Sequence, residues 1–382
     1  MKKLLYLSTS SFFDTDFPLL KSLGKKIDVT CLFLMYPNNI KATLIEISKP
    51  FPKTGIFKAV DIYPEFKKYE DCFNLDKTFI LNRTNRKKMS LANIISYFQL
   101  ILFIVKNNFS SIYSTIIFHS IDWPLYLFSK KINSAFHDPI PHSSTNVDKN
   151  KRMYKYMIDK VKSCIIFNSS TKQEFIETFN IPKNKVFVSK LGLNDLFPKF
   201  AEGSIQEKNY ILFWGRIEPY KGIEYLLEAM LEVHKYFPNA KLVVAGSGKI
   251  YFDDKLYKNL EYITFDNRFL SVCELANLVK NCKYVVCPYK DATQSGVITT
   301  AFAFNKPVIG TNVGAIPEYV KDEKFGFIVP PCDSVSLANA IMRMEKDVNN
   351  IMRFSSNIHE YYSKGKGSWD KISDNLISHL SK

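Results

Sequence analysis

The sequence predicts an α/β protein built from two parallel-sheet domains, and three observations carry that prediction. The chain has 382 residues, beyond the size at which one core keeps growing, so each half can bury its own. Short apolar runs alternate with helix-length amphipathic stretches along most of it, the pattern of βαβ units. Between the halves, Pro198 to Lys208 (PKFAEGSIQEK) is polar and without apolar periodicity, as a linker is.

In the first half the expected strands are Leu4 to Ser8, Asp28 to Leu34, Ser111 to Phe118, Ser134 to His137, Cys164 to Asn168 and Val186 to Leu191. In the second, Tyr210 to Trp214 and Lys241 to Ala245 flank a helix from Ile223 to Tyr236, whose Leu226, Leu227, Met230, Leu231 and Val233 form a buried face. Further strands are expected at Ile263 to Phe265, Tyr284 to Cys287, Pro307 to Gly310 and Gly326 to Val329. The domains expected are 1–197, a linker at 198–208, 209–362, and a terminal helix in 363–382 that returns to the first domain.

Apolar residues make up 46% of the chain and charged residues 23%, ordinary globular usage that leaves no room for a fibrous or disordered tract. The formal net charge of +15 favours anionic partners without choosing among them. The cations cluster in the first half, at Arg83, Arg86, Lys87 and Lys88 and again between Lys149 and Lys162, which suggests a docking face. No interleaved basic and aromatic signature of RNA binding occurs, so nucleic acid is not expected as a partner. Seven scattered cysteines form no C-x-x-C pair and read as buried thiols of a reducing compartment. The apolar start, Leu4 to Leu7, is too short for a signal peptide, so a cytoplasmic protein is expected. The longest apolar run, Ile94 to Val105, falls short of a membrane span and reads as a buried or interface-lying helix.

The most informative segment is Trp214-Gly215-Arg216-Ile217-Glu218-Pro219-Tyr220-Lys221-Gly222, where a strand hands over to a helix. Ligands of doubly wound sheets sit at such carboxyl ends. Gly215 permits close backbone approach, while Arg216 as a fork and Lys221 as a point charge can converge on a diphosphate. The plainer alternative is a turn with two surface cations.

Here the sequence resembles the C-terminal domain of family 4 glycosyltransferases of the GT-B fold, whose pattern is strand, G-R-(x)4-K-G, helix. The resemblance extends from about Phe136 to Val329. It implies two Rossmann-like domains facing a central cleft, a nucleotide-diphosphate sugar as donor, and Arg216 and Lys221 neutralising the diphosphate leaving group. No metal and no other cofactor is then expected. Retention of anomeric configuration is implied, with a glycan or lipid-diphosphate acceptor held by the first domain.

Other segments fit the same family. Tyr284 to Val297 (YVVCPYKDATQSGV) runs into a helix, so Ser295, Gly296 and Val297 would offer backbone amides to the donor phosphates. Two Glu residues bracket this segment in the family's commonest form; here Ala292 and Thr300 stand in their places. Asp291 or Gln294 is then a candidate contact to the donor sugar, or both shape the turn. Lys306 to Glu318 is similar to the family's P-V-(I/V)-x-T-x-V-G-G-x-P-E run, with Glu318 a candidate for ribose or sugar hydroxyls or else a helix-capping residue. Arg268 lies where the base-contacting loop is expected.

In the first domain, Ala135 to His142 (AFHDPIPH) resembles the family's strand-end H-D segment. His137 would hydrogen-bond the transferred sugar, and Asp138 would orient it or engage the acceptor; His119 and His142 are weaker candidates. Gly192 is a candidate cleft-lining residue. Asp14-Thr15-Asp16 matches the D-x-D metal triplet of the other major glycosyltransferase fold, but it follows the first strand and reads as a turn.

The reading is a glycosyltransferase of cell-surface polysaccharide synthesis. The basic first domain would allow peripheral contact with an anionic membrane, on the inner face of the plasma membrane. The missing Glu pair keeps open a non-catalytic nucleotide-sugar-binding partner in a glycan assembly complex, and an epimerase is the remaining alternative.

Overall fold

Alternating apolar runs become two separate parallel sheets. The structure is a computed structural model that describes residues 3–36, 44–45, 47, 49–140, 147–203, 209–292 and 294–382. The chain divides into two compact units: Met1–Gly192 with Trp369–Lys382, and Leu193–Ser368.

The first unit holds β1 (Lys3–Thr9), β2 (Asp28–Met35), β3 (Gly55–Lys58), β4 (Thr78–Asn82), β5 (Ser111–Ser114), β6 (Ile132–Phe136), β7 (Ser163–Ile166) and β8 (Val186–Val188). They form one sheet in the order β3-β4-β2-β1-β5-β6-β7-β8. All pairings are parallel except β3 with β4, at the edge. Leu4 of β1 pairs with Val29 on one side and Ser111 on the other, so the order reverses between β1 and β5. Beyond its first residue β1 is buried throughout, because both faces of such a sheet are covered.

The second unit holds β9 (Tyr210–Trp214), β10 (Lys241–Ala245), β11 (Ile263–Asp266), β12 (Tyr284–Cys287), β13 (Val308–Thr311) and β14 (Gly326–Val329). Their order, β11-β10-β9-β12-β13-β14, is the 3-2-1-4-5-6 order of doubly wound dinucleotide folds, with its switch point between β9 and β12. The helix Ile223–Tyr236 buries Leu226, Leu227, Met230 and Val233; Leu231, expected on that face, is only half-buried.

Some expectations need revision. β3 and β4 are strands that the apolar pattern did not reveal. β5 stops at Ser114; Ile116 and Phe118 are buried but leave the ladder. Asp14 and Asp16 stand in the first turn of the helix Phe13–Gly24 and not in a bare turn. Asp16 accepts hydrogen bonds from Tyr6 Oη at 2.7 Å and from Ser8 Oγ, and burial raises its carboxyl to about 7.

The basic surface cluster loses one member. Arg83 is 1% exposed; its Nη1 donates to Asp122 Oδ1 at 2.5 Å and to Tyr36 Oη at 2.7 Å.

The units part at Gly192 and not at residue 197, and the returning segment begins at Trp369 and not at 363. The chain before 204 is packed against the second unit: Phe197 is buried, Glu202 N donates to Asn277 Oδ1 at 2.9 Å, and Lys280 Nζ donates to Gly203 O. Residues 204–208 of the expected linker lie outside the described residues.

The terminal helix Trp369–Leu380 is fixed to the first unit. Ser22 Oγ donates to Asp370 Oδ1 at 3.1 Å, Lys26 Nζ pairs with Asp374 at 2.8 Å, and His379 stacks on Phe187 with centroids 4.2 Å apart. Its first residue explains Gly192: a Cβ there would lie 2.4 Å from Trp369 Cε2.

Two outcomes are expected. Gly192→Ala should displace the Trp369 ring and free the terminal helix, seen as faster amide exchange over 369–380 and tryptic cleavage at Lys364 or Lys366; wild-type protection would contradict the seating. Asp122→Ala leaves the buried Arg83 guanidinium uncompensated and should cost about 3–5 kcal/mol, measured as a lower urea midpoint of the first unit.

Candidate functional site

In the second unit the candidate residues gather at the carboxyl ends of β9 and β12. β9 runs on into Gly215, whose φ of +135° a side chain would strain. Gly215 N donates to Ala245 O at 3.0 Å. A Cβ on Gly246 would sit 1.9 Å from Gly215 O, so the strand ends approach as closely as backbone allows. Ile217 N continues the pairing to Ser247 O at 3.0 Å.

This backbone track delivers Lys221. A short turn, Pro219–Lys221, ends with Lys221 N donating to Glu218 O at 2.9 Å. The side chain then lies over the ring of Tyr289, with Nζ 3.7 Å from the centroid. Tyr289 Oη is 3.3 Å from Ser295 Oγ, and Ser295 is the N-cap of the helix Gly296–Ala303. Val297, in the first turn, has Cγ2 3.9 Å from where a Cβ of Gly215 would be. Gly215, Lys221, Ser295, Gly296 and Val297 are thus brought together around Tyr289.

Lys221 is only 8% exposed. Burial, the largest cause, pulls its ammonium down to about 8, and the nearby Arg216 cation lowers it further while Cys287 and Glu218 act the other way. It is protonated at neutral pH and loses its proton above about 8. A cation held in such surroundings is attracted to the ring face and to any anion that replaces its lost hydration.

Arg216 behaves differently. Its side chain is 70% exposed, with Nη1 3.1 Å from Glu218 Oε1 and Nη2 donating to Tyr220 Oη at 3.2 Å. It is a surface cation held on its own turn.

The remaining candidates are dispersed. Arg268 pairs with Asp266 at 2.8 Å and Glu274 at 2.7 Å. It lines a cavity of about 850 Å³ that extends to Asn209, Tyr210 and Lys241, where strands begin, and so away from the Lys221 cluster. Asp291 and Glu318 are exposed, Gln294 is half-buried, and Glu318 stands in the first turn of the helix Ile316–Val320.

Two residues of the cluster carried no role in the sequence. Tyr289 lay inside the quoted landmark with nothing to mark its ring as the seat of Lys221. Asn194, 1% exposed, donates through Nδ2 to Thr300 Oγ1 at 2.9 Å, and its Oδ1 has no partner among the described residues. Thr300 and Ala292, at the positions of the missing Glu pair, are both buried.

In the first unit His137 follows β6 directly. Its ring stacks on Phe12 at 4.2 Å and 13°, and lies 4.7 Å from Phe167. Burial lowers it to about 4 against the opposing effect of Asp138, so it is a neutral imidazole at physiological pH. Asp138 itself is exposed. His119 caps the turn before Leu125, its N donating to Asp122 Oδ2 at 3.0 Å. His142 lies outside the described residues. Among the described residues, no group of three or more His, Cys, Asp or Glu side chains is placed to hold a metal ion.

Residues 208–347 match the family described as glycosyl transferases group 1. An uncharacterized glycosyltransferase of Methanocaldococcus jannaschii is 32% identical over 244 residues, 57% of this chain and 60% of the relative. The O-antigen chain mannosyltransferase B of Escherichia coli is 23% identical over 62% of this chain and 66% of its own length. The match thus spans less than two thirds of these curated relatives. Among solved structures, Anabaena HepE in complex with UDP superposes at a TM-score of 0.66 with 16% identity, covering all of both chains, which identifies the fold as GT-B. Residues 208–347 thus carry the sequence of the group 1 glycosyltransferases, and the course of both sheets is that of the GT-B fold.

Proposed function

We propose that this protein transfers a sugar from a nucleotide-diphosphate donor to a glycan or lipid-linked acceptor in cell-surface polysaccharide synthesis. The observation that carries the reading is the Lys221 ammonium, buried against Tyr289 beside the N-terminus of the helix Gly296–Ala303. A cation in low-dielectric surroundings and free amides at a helix start form a ready receptor for a pyrophosphate. The E. coli relative is an O-antigen mannosyltransferase and the Anabaena structure holds UDP, which supports this class of acceptor and donor.

In the proposed reaction the bond from the anomeric carbon to the β-phosphate oxygen breaks as the bond to the acceptor oxygen forms. Lys221 and the amides of Ser295 to Val297 stabilise the charge that develops on the departing phosphate, with Arg216 swinging from Glu218 to join them. The acceptor's proton passes to that phosphate oxygen on the same face, so configuration is retained. His137, held neutral, hydrogen-bonds the transferred sugar, and Asp138 engages the acceptor. Because protein cations carry the leaving-group charge, the reaction is assigned no metal. Reduced, mostly buried cysteines fit a cytoplasmic setting.

Buried Ala292 and Thr300, where the family's commonest form has carboxylates, favour one second reading: a donor-binding partner that does not turn over. Incubation with a labelled donor and membrane-derived acceptors separates the two, since transfer supports the enzyme and tight binding without transfer supports the partner.

Donor binding supplies the first test. In a thermal-shift and calorimetric screen of UDP-, GDP-, dTDP- and ADP-sugars, one donor should stabilise the chain. Arg216→Ala and Lys221→Ala should each weaken it about 10- to 100-fold, the scale of a lost charged hydrogen bond; unchanged affinity in Lys221→Ala would overturn the assignment. The pH dependence follows from the same group. Protonated Lys221 is the binding form, so Kd should be flat below about 8 and rise about tenfold per pH unit above it. No step should appear at the ordinary imidazole value of about 6.5, because His137 is already neutral there. Turnover should be unchanged by EDTA.

A further inference from the structure

The helix Leu91–Asn107 is mounted with its apolar side outward. Its buried positions are Asn93, Ser96, Tyr97, Leu100 and Ile104. Exposed instead are Leu91 (74%), Ile95 (50%), Phe98 (64%), Leu102 (66%) and Val105 (59%), preceded by Met89 (76%). At about 100° per residue these five helical positions fall within roughly 80° of one another and run for about 21 Å. The stripe is therefore one continuous apolar ridge, far from the scattered single exposures that surfaces normally carry.

The inward polar groups fix this orientation. Asn93 Nδ2 donates to Lys87 O at 2.9 Å, Tyr97 Oη to Lys88 O at 2.8 Å, and Ser96 Oγ to Asn93 O at 2.8 Å. The first two bonds also tie the loop bearing Arg86, Lys87 and Lys88 to the start of the ridge, while Lys106 stands at its end. Between Asp76 and Asp122 the charged residues are Lys77, Arg83, Arg86, Lys87, Lys88 and Lys106, all cationic. Trp123 packs edge-on against Tyr97 at 5.7 Å and is itself 38% exposed.

We infer that this ridge lies in the surface of an anionic lipid bilayer. An apolar stripe free of charge along its length and bracketed by cations matches a layer whose interior is hydrocarbon and whose headgroups are negative. No described helix is long and apolar enough to cross a membrane, so the helix lies along the surface. The ridge has the four-three spacing of a coiled-coil seam, but a second copy would meet it with the same cations at both ends, and the segment between Asp76 and Asp122 carries no acidic residue to pair them. The inference concerns the first unit alone and does not rest on the catalytic reading.

The test is co-sedimentation of the full chain, without donor, with vesicles of phosphatidylcholine alone or mixed with phosphatidylglycerol. Binding to the mixed vesicles is expected, weakened but not abolished by high salt. Phe98→Ser with Leu102→Ser should reduce it about tenfold or more, given the apolar area removed. Arg86→Gln with Lys87→Gln should abolish the preference for phosphatidylglycerol. Phe98→Trp should shift its emission to the blue on mixing. Unchanged circular dichroism and melting temperature establish that the Ser variant is folded. Failure of the wild type to bind mixed vesicles overturns the inference. So does equal binding by the folded Ser variant, or a dimer in solution that the Ser variant dissolves.

Discussion

The site depends on one placement, an ammonium group taken out of water and set on the face of a tyrosine. Lys221 reaches Tyr289 because the ends of β9 and β10 lie against each other through Gly215 and Gly246, which brings the following turn to the carboxyl end of β12. A lysine so placed costs the fold desolvation free energy, visible in its depressed proton affinity. A lysine shifted in this way by burial is a candidate for a functional site. The exposed Arg216, resting on Glu218, complements it: one cation is fixed in advance, the other is free to move.

Much of the second unit was legible in sequence because its signals are local. β9, β10, β12, β14 and the helix Ile223–Tyr236 have the bounds expected of them, each an apolar block closed by Gly, Pro or polar residues. β3 and β4 were not legible: GIFK and TFILN are too short to stand out, and what makes them strands is pairing with partners far along the chain. The opposite error occurred at β5, where Ile116 and Phe118 are apolar for the sake of the core and make no ladder.

The site divides in the same way. Arg216 and Lys221 announce themselves as cations at a strand-to-helix junction, but sequence gives no hint that one is exposed and the other buried. Tyr289 and Asn194 act through contacts with Lys221 and Thr300, 68 and 106 residues away by the numbering. Gly192 was visible as a glycine but for another reason than expected, since it makes room for Trp369 from the far end of the chain. The Leu91–Asn107 helix shows the same limit: its apolar run from Ile94 to Val105 could be read, yet which side faces the protein was decided by Asn93 and Tyr97 binding the preceding loop.

The most direct measurement is an NMR titration of the Lys221 side chain in protein carrying carbon-13 lysine, with and without a saturating nucleoside diphosphate. The account predicts a midpoint near 8 in the free protein that rises when the diphosphate binds. A midpoint in the ordinary lysine range, or one that the ligand leaves unmoved, would contradict it.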